Sequence, residues 1–204
     1  MTTTAGTGGE LRRIVRINEE IKSVVATAFK INLMAMNAIF LAKRAGQAAL
    51  GFSVLSNELR RFAADLQRQM EVLRAMTYDS VASVTALVKH GRINRMIGRL
   101  RAETGGEAGQ AVARYLQDRP SVDDAEREAV VEGQNRRLNQ TIADTAQLVE
   151  LGSVLARSAK IEAAYGGSFA PALMQVSSDF ERIIADIQQS LTQLSRCHHQ
   201  EGSA

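Results

Sequence analysis

Cys197, His198 and His199 are the residues of this chain whose types come closest to a chemical site. A thiolate and two imidazoles are ligands that zinc and copper use. Adjacent residues on a helix point in different directions, however, and the sequence has no second pair of such ligands. We therefore predict no metal site, and nothing in the sequence indicates a cofactor.

Catalytic groups are equally sparse. No serine or cysteine has a histidine and a carboxylate at motif spacing, and no phosphate-binding loop is present. The acidic residues, such as Glu19 and Glu20, are scattered as helix surface charge. The sequence predicts a protein that is not an enzyme and that acts through its surface.

The composition is that of a helical protein in a reducing compartment. The 204 residues include two prolines, no tryptophan, one cysteine and a net charge of +3. One cysteine gives no disulfide framework, and the N-terminus lacks the pattern of a signal peptide. No window of the sequence approaches the roughly 20 apolar residues that span a bilayer. These features predict a cytoplasmic protein without a transmembrane segment.

Residues 10–45 carry two apolar stripes at helical spacing. One has the 3-4 steps of a coiled-coil seam and consists of Ile14, Ile17, Ile21, Val24, Ala28, Ile31, Ala35, Ala38, Ala42 and Ala45. The other is Phe29, Leu33, Met36 and Phe40. An antiparallel partner helix covers only one stripe, so the second is predicted to be an exposed docking face. The alternative is that another helix of the same bundle covers it.

Two glycines, Gly46 and Gly51, follow these stripes, and helical spacing resumes at Phe52. Glycine accommodates the left-handed conformation that ends a helix and lets the chain reverse. The sequence therefore predicts a helical hairpin with its tip near residues 46–51.

The residues around this tip resemble a known family. From Asn32 to Ala63 the spacing is similar to that of the signalling tip of methyl-accepting chemotaxis proteins, the bacterial chemoreceptors. The matching residues are Asn32, Asn37, Ala38, Ala42, Arg44, Ala45, Gly46, Gly51, Phe52, Val54, Glu58, Arg60 and Ala63. The resemblance implies a four-helix bundle made by two hairpins. It also implies binding to the histidine kinase CheA and the coupling protein CheW, and packing against other receptor tips.

The resemblance further implies which residues make these contacts. The face between receptor subunits would comprise Phe29, Met36, Asn37, Phe40, Leu41 and Arg44. The face toward kinase and coupling protein would include Leu33, Asn37, Gln47 and Val54. The family has glutamate at the position of Leu41 and usually at that of Gln47, so two carboxylates are lost here.

The C-terminal half repeats the first hairpin at a shift of 121 residues. The shift places Ala38 on Ala159, Ala42 on Ala163, Gly46 on Gly167, Phe52 on Leu173 and Leu59 on Phe180. A second tip is therefore predicted near residues 166–171, with Gly166 and Gly167 in its turn. Tyr165 stands where the family has arginine and Pro171 lies in the tip loop, so we expect the first hairpin to be the interacting one. The repeat predicts an all-α, antiparallel four-helix bundle, a single-chain pseudo-dimer with both tips at one end.

The predicted organisation has five parts. They are a disordered tail (1–9), the first hairpin (10–90), a basic helical connector (91–121), the second hairpin (122–199) and a short tail (200–204). The connector region also contains a glycine-rich segment, 104–109, and a helix start capped by Ser121. The stretch 89–101, which begins just before the connector, is basic through Lys89, Arg92, Arg95, Arg99 and Arg101. They are interpreted as a solvated helix face; binding to lipid headgroups or nucleic acid is the alternative, and no aromatic residue supports nucleic acid.

Taken together, these features predict a chemoreceptor-like signalling adaptor that docks to CheA, CheW or chemoreceptor tips and modulates chemosensory signalling. The alternative is a structural helical-bundle protein that self-associates through the same exposed stripe, without coupling to a kinase.

Overall fold

The computed structural model describes residues 3–103, 110, 114 and 124–199. Four long helices dominate these ranges: α1 (Thr3–Ala45), α2 (Leu50–Glu103), α3 (Asp124–Ala163) and α4 (Ala170–His199). Short 3₁₀ turns, Gly46–Ala49 and Gly167–Phe169, join the helices of each hairpin. No strand occurs in the described ranges, and the all-α prediction is confirmed.

The helices form an antiparallel four-helix bundle. α1 packs against α2 and α4, and α3 packs against the same two helices. α2 and α3 run in opposite directions, because Phe62 lies beside Gly152 while Met76 Sδ is 3.6 Å from Thr141 Oγ1. Gly51, beside the first tip, lies against the carboxylate of Glu162, beside the second, so both hairpin tips lie at the same end.

The predicted α1 seam forms one wall of the core. It is buried from Ile17 to Ala42, and Ile14 and Ala45 are half-buried at its two ends. Near the tips the buried side chains of α1 and α3 are small: Ala35, Ala38, Ala42, Ala156, Ala159 and Ala163. Because the separation of packed helices depends on the side chains between them, this end of the bundle is the tighter one.

The internal repeat extends to local backbone geometry. Gly46 and Gly167, related by the shift of 121, have φ of 69° and 58°. Ser56 Oγ donates to the Phe52 carbonyl oxygen at 2.8 Å, and its counterpart Ser177 donates to the Leu173 carbonyl oxygen at 3.0 Å. Both serines are fully buried, and the bond to the preceding turn satisfies each hydroxyl.

Substituting Gly46 by alanine should destabilise the protein by about 1 kcal/mol or slightly more, because a residue with a Cβ is strained in the left-handed region. Gly133→Ala is the matched control. Gly133 lies inside α3 with nothing within 4 Å of an added Cβ, so alanine there should be neutral or stabilising by up to about 1 kcal/mol. Urea unfolding followed by circular dichroism measures both. Equal effects of the two substitutions would contradict the assignment of Gly46 as a strained turn residue.

Helix boundaries differ from the predicted organisation at several points. The sequence predicts a disordered tail over 1–9, whereas α1 begins at Thr3. It predicts a separate basic connector from 91, whereas α2 continues without a break to Glu103. No proline interrupts this stretch, and isolated glycines such as Gly91 and Gly98 weaken a helix without ending it. The predicted glycine-rich segment 104–109, the Ser121 cap and the tail 200–204 lie outside the described residues.

The fully buried core ends before these helices do. On α2 the last buried residue is Ser80, and residues 81–100 are exposed or half-buried. On α3 the first buried residue among the described side chains is Leu138. The basic side chains Lys89, Arg92, Arg95 and Arg99 therefore belong to a part of α2 with little burial, away from the tips.

One helical stretch, within Ile14–Leu100, contains an 18-residue window that is apolar enough to cross a membrane by length and composition. The sequence predicts no such window, so this stretch is more apolar than that prediction allows. Only 28% of the window is buried in the bundle, so part of its apolar surface faces outward.

Candidate functional site

The second apolar stripe lies on the outside of the bundle. The exposed fractions are 53% for Phe29, 45% for Leu33, 39% for Met36 and 60% for Phe40. These residues are three or four positions apart on α1, so they form one continuous strip, here called the α1 face. No other described helix covers it, and large exposed apolar surfaces on folded proteins usually mark interfaces.

Basic side chains flank the α1 face. Lys22, Lys30, Lys43 and Arg44 are exposed, and the sequence from 21 to 45 contains no aspartate or glutamate. Exposed Asn37 adds an amide one turn from Leu33. The α1 face is therefore apolar along its centre and positively charged at its edges.

The other predicted contact residues divide between the tip and the core. Gln47 in the turn and Val54 on α2 are exposed, with Val54 62% exposed. Exposed Leu50, one turn before Val54, was not among the predicted residues. Leu41, in contrast, is half-buried and packs against the core. An apolar side chain suits this position, which turns partly inward.

The tip glycines have two different roles. Gly46 and Gly167 adopt the left-handed conformation, whereas Gly51 and Gly166 have negative φ. Gly51 lies within α2, and a Cβ there would overlap the carboxylate of Glu162 on α3. The predicted turn residue Gly51 thus serves close packing between the two hairpins. The counterpart of Glu162 at the shift of 121 is Leu41, so the two sides of the tip are not equivalent.

α3 carries an exposed strip that sequence reasoning missed. Leu151, Val154, Ile161 and Tyr165 are each at least half exposed, and we call this strip the α3 face. Their 3-7-4 spacing is helical, but polar Ser158 interrupts it. A search for apolar residues off the seam, allowing one polar gap, would have found it.

No cluster of three His, Cys, Asp or Glu residues within the described ranges is arranged to hold a metal ion. Cys197 is buried at the end of the core, and the side chains of His198 and His199 lie outside the described residues. The arrangement supports recognition of another protein by helix faces.

Comparison with known proteins places the similarity in part of the chain. The chain is 38% identical over 72 residues to methyl-accepting chemotaxis protein TlpQ of Pseudomonas aeruginosa, covering 33% of this chain and 10% of that protein. It is 35% identical over 80 residues to methyl-accepting chemotaxis protein PcaY from two strains of Pseudomonas putida, covering 39% of this chain and 14% of PcaY. No protein-family model matches the chain. The chain therefore contains a region similar to chemoreceptors, and it spans at most 14% of the length of these curated relatives.

Proposed function

From this chemoreceptor-like region we propose that the protein is a non-catalytic adaptor of chemosensory signalling, acting in the cytoplasm. It docks through the α1 face to CheA, CheW or the tips of chemoreceptors. In this way it competes with receptors for shared partners or joins them.

The observation that carries this proposal is the exposed α1 face beside the tip. Phe29, Leu33, Met36 and Phe40 offer a partner an apolar strip without any rearrangement of the bundle. An exposed apolar helix face is recognised by a complementary groove or helix of the partner through anchors at i, i+3, i+4 and i+7 spacing. The core is complete without these side chains, so they are available for binding.

The charge on the α1 face adds a requirement for the partner. Lys22 is paired with Glu19 on the preceding turn, at 2.9 Å, whereas Lys30, Lys43 and Arg44 have no aspartate or glutamate within 21–45. A partner surface with carboxylates at the edges of an apolar centre complements them and associates faster at low salt. Binding is therefore expected to weaken as ionic strength rises.

The arrangement of two hairpins in one chain supports the role of adaptor. A receptor tip needs a second subunit to complete its four helices, according to the resemblance. Here α3 and α4 supply that half, so the bundle forms at any concentration of the chain. Its abundance alone would then set how many partner sites it occupies.

The direct test is binding of the full chain to purified CheA, CheW and a receptor tip fragment from the same organism, measured one at a time by biolayer interferometry. We expect saturable binding to at least one of the three, weaker at high salt. Absence of binding to all three at concentrations of about 100 μM, where even weak signalling contacts are populated, would overturn the proposal.

A further inference from the structure

The end of α2 carries basic residues without acidic ones. Between Asp79 and Glu103 the sequence contains no aspartate or glutamate. Earlier on the same helix, three exposed arginines each have an acidic partner three positions before them. The pairs are Arg61–Glu58, Arg68–Asp65 and Arg74–Glu71. In the described part of the chain, Lys89, Arg92 and Arg99 form no ion pair of this kind. The positive charge of α2 is therefore neutralised along its middle and not near its end.

These three cations share one side of α2 with two apolar side chains. Met96 is 57% exposed and Leu100 is 49% exposed, and the cations are exposed as well. Residues three and four positions apart are neighbours on a helix surface, so the five form one strip. We call it the α2 basic face, and it consists of Lys89, Arg92, Met96, Arg99 and Leu100. Arg95 is left out, because its Nε donates to the Gly91 carbonyl oxygen at 3.2 Å and so folds back along the helix.

The α2 basic face points away from α3. Ser83 and Leu87 line a cavity of about 250 Å³ together with residues of α3, among them Glu126. Arg92 and Met96 each lie nine positions further along, which is about two and a half turns, so they are on the opposite side of α2. The acidic start of α3 is thus separated from these cations by the helix itself.

We propose that the α2 basic face binds the surface of an anionic lipid bilayer. Lys89, Arg92 and Arg99 lie among the headgroup phosphates, and each cation near such a surface strengthens binding about fivefold. Met96 and Leu100 enter the boundary between headgroups and acyl chains, as the apolar side of an interfacial helix does. Lipid headgroups are one of the partners that the sequence leaves open for this stretch.

The mixture of cations and apolar side chains favours a bilayer over nucleic acid. Phosphate contacts to nucleic acid require cations alone, and unpaired bases are bound by aromatic side chains. The stretch 80–103 has no phenylalanine, tyrosine or tryptophan, and exposed Met96 and Leu100 would gain nothing from phosphates. A bilayer surface offers both an anionic layer and an apolar one.

The α2 basic face is distant from the tips. From Leu50 to Arg92 the helix rises about 63 Å, at about 1.5 Å per residue. Lipid at this end therefore leaves the α1 face accessible at the other, and this inference does not depend on any chemosensory partner.

Flotation of the full chain with large unilamellar vesicles tests the proposal. We expect binding to phosphatidylcholine vesicles that contain about 30% phosphatidylglycerol, with half-saturation below about 1 mM lipid and weaker binding at high salt. Binding to pure phosphatidylcholine should be at least about 10-fold weaker. Arg92→Gln/Arg99→Gln should weaken binding about 25-fold, and Met96→Ser, which leaves the charge unchanged, about threefold or more.

Arg68→Gln/Arg74→Gln is the matched control. It removes the same charge from the same helix, but from paired arginines more than about 25 Å from Arg92, beyond the screening length of about 10 Å at 0.1 M salt. Binding should change less than about twofold. All these side chains are exposed, so the melting temperature should be preserved in each variant.

Three results would overturn the proposal. The first is no flotation with the anionic vesicles at about 2 mM lipid. The second is an equal loss of binding in the two double variants. The third is unchanged vesicle binding by Met96→Ser together with tighter binding of the original chain to a DNA duplex of about 30 base pairs, which would assign the cations to nucleic acid instead.

Discussion

Gly152→Ile should destabilise the bundle by about 3 kcal/mol or more, because it forces a branched side chain into a layer of the core that is already filled. Gly152 is buried on α3, and a Cβ added there would lie 2.5 Å from Cζ of Phe62 and 2.8 Å from its Cε1. The ring is itself buried, so it has no free space to move into. Better helix propensity of isoleucine recovers only about half a kcal/mol. Urea unfolding followed by circular dichroism measures the change.

The internal repeat supplies the compensating substitution. At a shift of 121 residues, Gly152 corresponds to Ile31 and Phe62 to Ile183, and both isoleucines are buried. On one side of the bundle this layer holds a phenylalanine against a glycine. On the other side it holds two isoleucines. Phe62→Ile alone should cost about 1 to 3 kcal/mol through the cavity that it leaves.

The double variant Gly152→Ile/Phe62→Ile copies the other side of the bundle, so its free energy of unfolding should be within about 1 kcal/mol of that of the original protein. The two substitutions would then be coupled by several kcal/mol. Gly133→Ile, in open space on the same helix, controls for the change of residue type. Additive losses in the double variant would contradict the contact and the pseudo-symmetry of this layer.

This layer also shows where sequence reasoning stops. The α1 seam was readable because its apolar residues recur at 3-4 spacing, and that periodicity is a property of one helix. The pairing of Phe62 with Gly152 is a property of two helices and depends on their relative height in the bundle. From the sequence, a glycine in a seam is expected to leave a gap in the core. In the structure, the ring of Phe62 fills the space beside Gly152.

Of the two exposed apolar faces, the sequence predicted one and missed the other. The α1 face was predicted because four large side chains follow each other without a gap. The α3 face was missed because Ser158 interrupts it and because Tyr165 was interpreted as a lost arginine. The exposure of these residues depends on which side of α3 faces the core. An interrupted periodicity does not determine that side. The sequence underestimates the length of α2, because the glycines and arginines at 89–101 indicate a boundary there, whereas Gly91 and Gly98 keep a negative φ and the helix continues through them.

Phe40→Glu should weaken binding to the chemosensory partner about 100-fold, which is the loss expected when a large aromatic anchor at the centre of an interface is replaced by a charge. Phe40 is 60% exposed in the free protein, so its stability should change by no more than about 0.5 kcal/mol. The measurement is the Kd for whichever of CheA, CheW or the receptor tip binds the original chain.

Ile161→Glu is the matched control, because Ile161 is the counterpart of Phe40 at the shift of 121 and is 66% exposed. It should leave the partner Kd within about twofold, because it lies on the α3 face and is distant from the docking contacts. A comparable loss of partner binding in both variants would show that the two hairpins are used alike, and would contradict the assignment of docking to the α1 face.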